Sequence, residues 1–198
     1  MQALKDYQKL IDEVDRRCHL IVSRNRDQIA CIKGCAGNCC RIHLSVYPVE
    51  AVSLALALQK LAPQICYRIQ SKARNTNSFG PCPLLEDAAC LMYDDRAVIC
   101  RTHGLPVRIE YRGHRTVGFC IKNFKHPSPI PDEDIIDLAH LNRSLAEVNS
   151  RFVSEVAFLL APGRRFTIGE ALLMDVRSLR LRNSEGYRKV KPRMMNIV

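Results

Sequence analysis

A dense run of cysteines constrains the fold of this chain more than any other feature of its sequence. Four thiols fall within ten residues, in the run Cys31-Ile32-Lys33-Gly34-Cys35-Ala36-Gly37-Asn38-Cys39-Cys40. Glycine reaches backbone angles that other residues avoid, so the segment can fold back and direct several sulfur atoms at one centre. Both wider gaps fall within the range of zinc-binding cysteine pairs. The run therefore predicts a metal site, with a disulfide knot and a redox pair as the alternatives.

The last two cysteines of the run, Cys39 and Cys40, are adjacent. Neighbouring side chains diverge on an extended backbone, so an adjacent pair serves two ions, or bridges them, more readily than it chelates one. The spacing therefore predicts a centre that contains two or more metal ions.

The composition indicates an ordinary globular chain. Of its 198 residues, 47% are hydrophobic and 25% are charged, which suits one domain. The N-terminus has no uninterrupted apolar core, and no stretch is long and apolar enough to span a membrane. We therefore expect a cytoplasmic protein with no membrane partner. In that reducing compartment, clustered cysteines bind metal or act in catalysis rather than form disulfides.

The net charge of +10 is concentrated at the C-terminal end, away from the cysteines. Residues 163–198 contain nine Lys or Arg and three acids, which accounts for +6 of the total. Aromatic residues make up only 6% of the chain, and the sequence lacks paired zinc-finger histidines. These features argue against a nucleic-acid-binding module. The sequence does not indicate a protein partner.

Hydrophobic periodicity predicts a mainly α fold with a small β-hairpin, in which helices surround a metal-stapled, cysteine-rich loop region. Predicted helices cover residues 3–30, 48–61, a shorter stretch from Pro63, 132–160 and 168–179. Alternating residues at 107–111 and 115–119 predict the hairpin, with its turn at 112–114. We expect a cysteine-cluster metal-binding domain over 1–160. A basic C-terminal segment, 161–198, follows it and ends in a partly disordered tail.

Two of the ten cysteines are set apart from the others. Cys18 and Cys66 lie on predicted helices among apolar residues, which indicates packing rather than ligation. Each of the remaining thiols lies in a loop or beside a turn, which indicates that they act as one set: Cys31, Cys35, Cys39, Cys40, Cys82, Cys90, Cys100 and Cys120. A pair of tetrahedral zinc sites, about four cysteines each, would use the whole set.

Further motifs follow the opening run in a fixed order: Cys82-Pro83-Leu84-Leu85, Cys90-Leu91-Met92-Tyr93, Arg96-Ala97-Val98-Ile99-Cys100-Arg101 and Cys120. This ordered combination, within residues 31–120, resembles the YkgJ-type cysteine-cluster family. The family has narrower gaps in its opening run, and it has proline where this chain has Ala97. The resemblance implies a protein that chelates zinc or iron through these cysteines. Some relatives look like flagellin lysine N-methylases, which implies an enzymatic alternative.

Charge balance suggests which residues support the metal. A pair of zinc ions bound by all of these thiolates would leave an excess of negative charge at the site. Arg41 and Arg101 each follow a cysteine and are the predicted cofactor-binding residues, with plain solvent exposure as the alternative. His43 and His103 share a Cys-Arg-x-His pattern. We interpret each imidazole as a hydrogen-bonded neighbour of the metal site, with ligation as the alternative.

The leading functional hypothesis is a cytosolic metal-binding protein that chelates zinc or iron through an eight-cysteine cluster. The alternative is an enzyme whose iron or iron–sulfur cluster performs redox or methyl-transfer chemistry, although the familiar ferredoxin spacings are absent. A nucleic-acid-binding module ranks below both. No residue is indicated as catalytic, so the sequence does not decide whether the chain is an enzyme.

Overall fold

The computed structural model describes residues 1–31, 33–35, 38–42, 44–76, 80–125, 129–157, 163–183 and 186–189. This part of the chain is mainly α-helical with small sheets, which confirms the predicted fold class at that level. Its α-helices are α1 (Gln2–Arg24), α2 (Pro48–Leu58), α3 (Pro63–Asn75), α4 (Val98–Thr102), α5 (Leu138–Glu155) and α6 (Ile168–Leu172). None of the described helices is both long and apolar enough to cross a bilayer.

Helix α2 lies at the centre of the hydrophobic core. Pro48 begins the helix, where its missing N–H costs nothing, and nearly every following residue is buried. Helices α1, α5 and α6 pack around α2. Because it has neighbours on several sides, α2 is apolar around its whole circumference. The interpretation of this segment as a buried core helix is confirmed.

Helix α1 is shorter than the predicted helix over 3–30. It ends at Arg24 because Asn25 terminates it: the Asn25 amide donates to the Ile21 carbonyl (2.9 Å) and to the Asp134 carboxylate (2.8 Å). Arg24 also pairs with Asp134, at 3.0 Å. The end of α1 is thus set by a carboxylate far away in the sequence.

Helix α5 covers only the middle of the predicted helix over 132–160. The acidic residues 132–134 form a separate 3-10 turn, Asp132–Asp134. Helix α5 starts after Asp137, whose carboxylate accepts the N–H of His140 at 2.8 Å. The predicted helix over 168–179 is also wrong in extent, because α6 ends at Leu172 and a 3-10 turn, Val176–Ser178, follows.

The strands are short and form several small sheets. They are β1 (Ser45–Val46), β2 (Leu85–Glu86), β3 (Ala89–Cys90), β4 (Val107–Tyr111), β5 (His114–Gly118), β6 (Ile136–Asp137), β7 (Val156–Ala157), β8 (Phe166–Thr167), β9 (Arg180–Asn183) and β10 (Gly186–Lys189). Strands β4 and β5 form the predicted hairpin, and β6 joins β4 in parallel. Arg112 and Gly113 form the turn with φ values of 51° and 77°, which suits a two-residue hairpin turn.

Much of the C-terminal segment is built into the rest of the fold. Strand β8 pairs with β1, and α6 packs against α2 and α3. Strand β9 pairs with both β7 and β10, a hairpin that the sequence patterns did not predict. Residues 190–198, which include the end of the predicted disordered tail, lie outside the described residues.

A buried carboxylate connects the core to the cysteine-bearing region. Glu50, near the start of α2, is only 2% exposed. One of its oxygens accepts the N–H of Tyr47 (2.9 Å), and the other accepts the N–H of Val98 (3.1 Å), the first residue of α4. Burial raises the pKa of Glu50, while the two N–H donors and the charge of Arg165 act in the opposite direction. The side chain therefore caps two helices at once.

We expect the Glu50→Ala substitution to lower the free energy of unfolding by about 1–3 kcal/mol, because the N–H groups at the starts of two helices lose their acceptor. Urea denaturation followed by circular dichroism measures the change. The control is Glu147→Ala, since Glu147 is exposed on α5 and should cost no more than about 0.5 kcal/mol. Equal effects of the two substitutions would contradict the bridging role of Glu50.

Candidate metal centre

Backbone hydrogen bonds bring Cys40 and Cys82 together. Cys39 and Cys40 lie in a 3-10 turn, Asn38–Arg41. The N–H of Cys82 donates to the carbonyl of Cys40 at 2.7 Å, so the two segments run side by side. This contact joins the opening cysteine run to the second group of cysteines.

A tight hairpin places Cys90 beside the same segment. Cys90 lies on β3 opposite Leu85 of β2, and the Leu85 N–H donates to the Cys82 carbonyl at 2.9 Å. Asp87 and Ala88 make the turn with φ values of 47° and 63°. Left-handed backbone is strained at residues other than glycine, so the surrounding contacts hold this turn in place.

Arg96 connects the hairpin to the cysteine of helix α4. Its side chain donates to the Tyr93 carbonyl (2.7 Å) and to the Cys100 carbonyl (3.3 Å). The guanidinium also stacks on the Tyr93 ring, 3.5 Å from the ring centroid. Lys33, in the opening run, lies over the same ring at 5.3 Å. Two cations thus lie near the cysteines of this region.

Cys31 and Cys120 meet at a glycine. A Cβ placed on Gly104 would lie 2.9 Å from the Cys31 Sγ atom and 3.4 Å from the Cys120 Cβ atom. Gly104 has a φ of +93°, which glycine adopts without strain. The N–H of Cys120 donates to the Gly104 carbonyl at 3.1 Å. Only a residue without a side chain leaves room for both cysteines.

Asn123 holds these segments together. It is 1% exposed, and its amide oxygen accepts the N–H groups of Ala30 (2.9 Å) and Cys31 (3.2 Å). Its amide nitrogen donates to the Gly104 carbonyl at 2.6 Å. One buried side chain therefore fixes Cys31 against the loop that contains Gly104.

The thiols near Cys82 affect one another electrostatically. Burial raises the pKa of Cys40 and the neighbouring Cys39, Cys82 and Cys90 add to the increase, which brings this pKa to about 12. Burial also raises the pKa of Cys100 and Cys82 and Cys90 add to the increase, which brings this pKa to about 12. These thiols are consequently protonated at neutral pH when no cation compensates their charge.

Cys31 has a different set of neighbours. Burial raises the pKa of Cys31 to about 11, and Cys120 and Cys35 contribute to the increase. The Asn123 side chain acts in the opposite direction. The thiols with the largest influence on Cys31 are therefore not those with the largest influence on Cys40.

The predicted cofactor-binding arginines are placed differently from each other. The Arg101 guanidinium donates to the Asp15 carboxylate and to the carbonyls of Asp94 and Arg96, so it ties α1 to the loop before α4. Arg41 is exposed at the end of its 3-10 turn. The charge of Arg96, which the sequence reasoning did not single out, acts on Cys90 and Cys100 and opposes the increase in their pKa.

Of the two histidines of the Cys-Arg-x-His pattern, only His103 lies among the described residues. His103 is the residue directly after α4, and burial lowers the pKa of its imidazole. It is therefore a neutral side chain at pH 7. His43 lies outside the described residues.

The two cysteines assigned to packing lie on helices. Cys18 is buried on α1 and its thiol donates to the Arg101 carbonyl at 3.7 Å. Cys66 lies on α3, half-buried against the core. Both positions agree with the packing interpretation.

The donor set suits zinc or iron, since both accept thiolate ligands. All ten cysteines are free thiols. Among the described residues, however, no three Cys, His, Asp or Glu side chains converge on a point as the ligands of a bound ion do. The structure therefore brings the cysteine-bearing segments together without forming a closed coordination shell.

Three residues that support the cysteines, Glu50, Gly104 and Asn123, were missed by the sequence reasoning. Glu50 was noted only for its place in the first turn of a helix. Gly104 lies just beyond the second Cys-Arg-x-His motif, and Asn123 follows the last cysteine closely. Proximity to a cysteine was the one available signal for the last two, and it does not reveal a long-range hydrogen bond.

Comparison of the chain with protein-family models, with curated proteins and with solved structures found no match. The resemblance to the YkgJ-type family therefore rests on the cysteine motifs within residues 31–120.

We expect Gly104→Ala to destabilise the protein more than Gly113→Ala does. Both glycines have positive φ, so each substitution costs about 1–2 kcal/mol of backbone strain. A Cβ on Gly113 meets nothing within 4 Å, whereas a Cβ on Gly104 collides with the Cys31 Sγ atom. Comparing the denaturation midpoints of the two variants separates the effect of this collision from that of backbone strain. Equal midpoints would show that Cys31 is not packed against Gly104.

Proposed function

We propose that this chain is a cytosolic metal-binding protein that holds zinc or iron through its cluster of eight cysteines. One observation carries the proposal: Cys82, whose N–H bonds to the Cys40 carbonyl, and Cys90 lie near enough to raise the pKa of both Cys40 and Cys100. Ionised thiols this close would repel one another, so the thiols stay protonated unless a cation compensates their charge. A metal ion removes the repulsion and uses the same sulfur atoms as ligands.

The region from Cys82 to the start of α4 also needs a source of stability. It consists of turns and very short strands, and its cysteines are only partly buried. Metal ligation supplies about 10 kcal/mol of folding free energy in small zinc modules. Metal ions bound here would staple the cysteine-rich loops to the helices around them, as the sequence patterns predict.

The raised pKa values argue against a nucleophilic cysteine. Reactive thiols have a lowered pKa, which basic neighbours or a helix N-terminus provide. Burial instead raises the pKa of Cys82 to about 11 and that of Cys100 to about 12. These cysteines are poor nucleophiles by themselves, whereas a bound metal would keep them deprotonated as ligands.

A groove beside Cys82 favours the enzymatic alternative as a second candidate. It has a volume of about 390 Å³, and Cys82 forms part of its wall together with Pro81, Pro83, Ile168 and Leu173. Such a space next to a metal centre can hold a small substrate. An iron or iron–sulfur centre that performs redox or methyl-transfer chemistry would use it. Absorbance and electron paramagnetic resonance spectra of protein purified without oxygen distinguish this candidate, because zinc gives neither signal.

We expect the full-length protein to bind about two metal ions or more, because one tetrahedral ion uses about four thiolates. Cys100→Ser should lower the metal content and the melting temperature together, since ligation and folding are coupled. Elemental analysis and thermal denaturation measure the two effects.

The matched control for this experiment is Cys66→Ser, which removes the half-buried thiol of α3. It should leave the metal content unchanged. A protein that holds no metal after incubation with excess zinc or iron would refute the proposal. So would a Cys66→Ser variant that loses metal as completely as Cys100→Ser does.

We expect metal binding at pH 7 to release protons, because burial leaves Cys40 and Cys100 protonated with a pKa of about 12 each. Each thiol that becomes a ligand loses its proton, so the affinity should fall as the pH falls. Calorimetric titration with zinc in buffers of different ionisation enthalpy counts the released protons. A binding enthalpy that is independent of the buffer would show that the thiols are not the ligands.

A further inference from the structure

We propose that Cys31 and Cys120 form a reversible disulfide bond when the protein reacts with a small-molecule disulfide such as oxidised glutathione. The bond would join the segment after α1 to the end of the β4–β5 hairpin. Disulfides that form in a reducing compartment are typically transient and respond to the redox state. The inference goes beyond metal binding, because it needs only the two thiols and the oxidant.

The side chains of Cys31 and Cys120 border one gap. A Cβ on Gly104 would lie 2.9 Å from the Cys31 Sγ atom, 3.6 Å from the Cys31 Cβ atom and 3.4 Å from the Cys120 Cβ atom. Gly104 has no side chain, so none of its atoms fills this gap. A disulfide needs Cβ atoms about 3.5–4.5 Å apart. Two side chains that reach the same point can adopt this separation with a small adjustment.

Hydrogen bonds hold the two cysteines in place through one buried residue. The Asn123 amide oxygen accepts the Cys31 N–H at 3.2 Å, and the Asn123 N–H donates to the Cys120 carbonyl at 2.8 Å. The Asn123 amide nitrogen and the Cys120 N–H both donate to the Gly104 carbonyl. Two cysteines that are distant in the sequence are thus positioned for reaction before any bond forms.

The Cys31 and Cys120 side chains also act directly on each other. Burial, followed by the contact with the Cys120 side chain, raises the pKa of Cys31. This effect agrees with the geometry at Gly104.

Other pairs of cysteines are less suited to a disulfide. Cys40 and Cys82 contact each other through backbone atoms, a carbonyl and an N–H. Cys39 and Cys40 are adjacent, so their Cα atoms are about 3.8 Å apart. A disulfide usually spans about 4.4–6.8 Å between Cα atoms, so a bond between neighbours is strained.

A small disulfide has access to this pair from solution. Cys120 is partly exposed and lies between Phe119 and Ile121, which are 40% and 89% exposed. Lys33 and Gly34, which follow Cys31 closely, are exposed as well. We therefore expect the oxidant to react first at Cys120.

The reaction takes place in two exchange steps. The Cys120 sulfur, after losing its proton to water, attacks one sulfur of the small disulfide; a mixed disulfide forms, and the released small thiolate takes up a proton. The Cys31 sulfur then loses its proton and attacks the Cys120 sulfur, which releases the second small thiol. Two protein thiols are oxidised and one small disulfide is reduced to two thiols. The second step is intramolecular, so the proximity of the sulfur atoms favours it despite the raised pKa of Cys31.

The disulfide has a consequence for the proposed function. Thiolates are the metal ligands, and the sulfur atoms of a disulfide are no longer thiolates. Under the proposed function, the bond would remove two of the eight ligands. Oxidation would then lower the metal content of the protein.

The test exposes the reduced, full-length protein to oxidised glutathione, blocks the remaining thiols with N-ethylmaleimide and identifies linked tryptic peptides by mass spectrometry. Cleavage after Lys and Arg leaves Cys31 as the single cysteine of peptide 27–33 and Cys120 as the single cysteine of peptide 116–122. The link is therefore assigned without ambiguity. We expect these two peptides to be joined in most of the first disulfide that forms, and dithiothreitol to separate them.

Substitutions test the order of the two steps. In Cys31→Ser, glutathione should stay attached to Cys120, because the second step has no attacking sulfur. In Cys120→Ser, peptide 27–33 should form no link to another peptide. Cys66→Ser is the control and should form the same link at an unchanged rate. Circular dichroism checks that each variant folds, and the peptide map of the unsubstituted protein decides if one does not.

A first disulfide between other peptides would overturn the inference. So would glutathione that remains on Cys120 in the unsubstituted protein. Elemental analysis decides the proposed function separately. A protein that forms this link without binding metal supports the inference alone, and a metal-binding protein that does not form the link overturns the inference alone.

Discussion

A buried carboxylate holds the cysteine-bearing region to the helical core. The Glu50 oxygens accept N–H groups from the starts of α2 and α4, and the N–H groups at a helix start have no partner within their own helix. Glu50 therefore satisfies two helix ends with one side chain. Because α2 is the most buried helix and α4 carries Cys100, this carboxylate sets where Cys100 lies relative to the core.

Burial dominates the ionisation of the cysteine region. Burial and neighbouring thiols raise the pKa of Cys40, and burial likewise raises that of Cys100. The charge of Arg96 offsets only part of this effect at Cys100, while Arg101 is engaged by Asp15 and two loop carbonyls. In the absence of a bound cation, the free thiols are therefore stable in their protonated form. A divalent ion would reverse this preference, which couples the ionisation of the cysteines to the order of their loops.

Local patterns predicted those elements whose causes are local. Helix α2 was evident from its apolar residues and Pro48, and the β4–β5 hairpin from alternating residues around Arg112 and Gly113. The ends of α1 and α5 were predicted wrongly for a physical reason. Asn25 stops α1 through the carboxylate of Asp134, and no periodicity reveals such a distant partner.

The sequence by itself determined which thiols are available, and it separated Cys18 and Cys66 from the other eight through helical periodicity. Tertiary structure alone decided which cysteines lie together, because hydrogen bonds between distant segments make that choice. Asn123 joins Cys31 to Gly104, and the Cys40 carbonyl receives the Cys82 N–H. Cys31 and Cys40, two cysteines of the same run, thereby contact different segments of the chain.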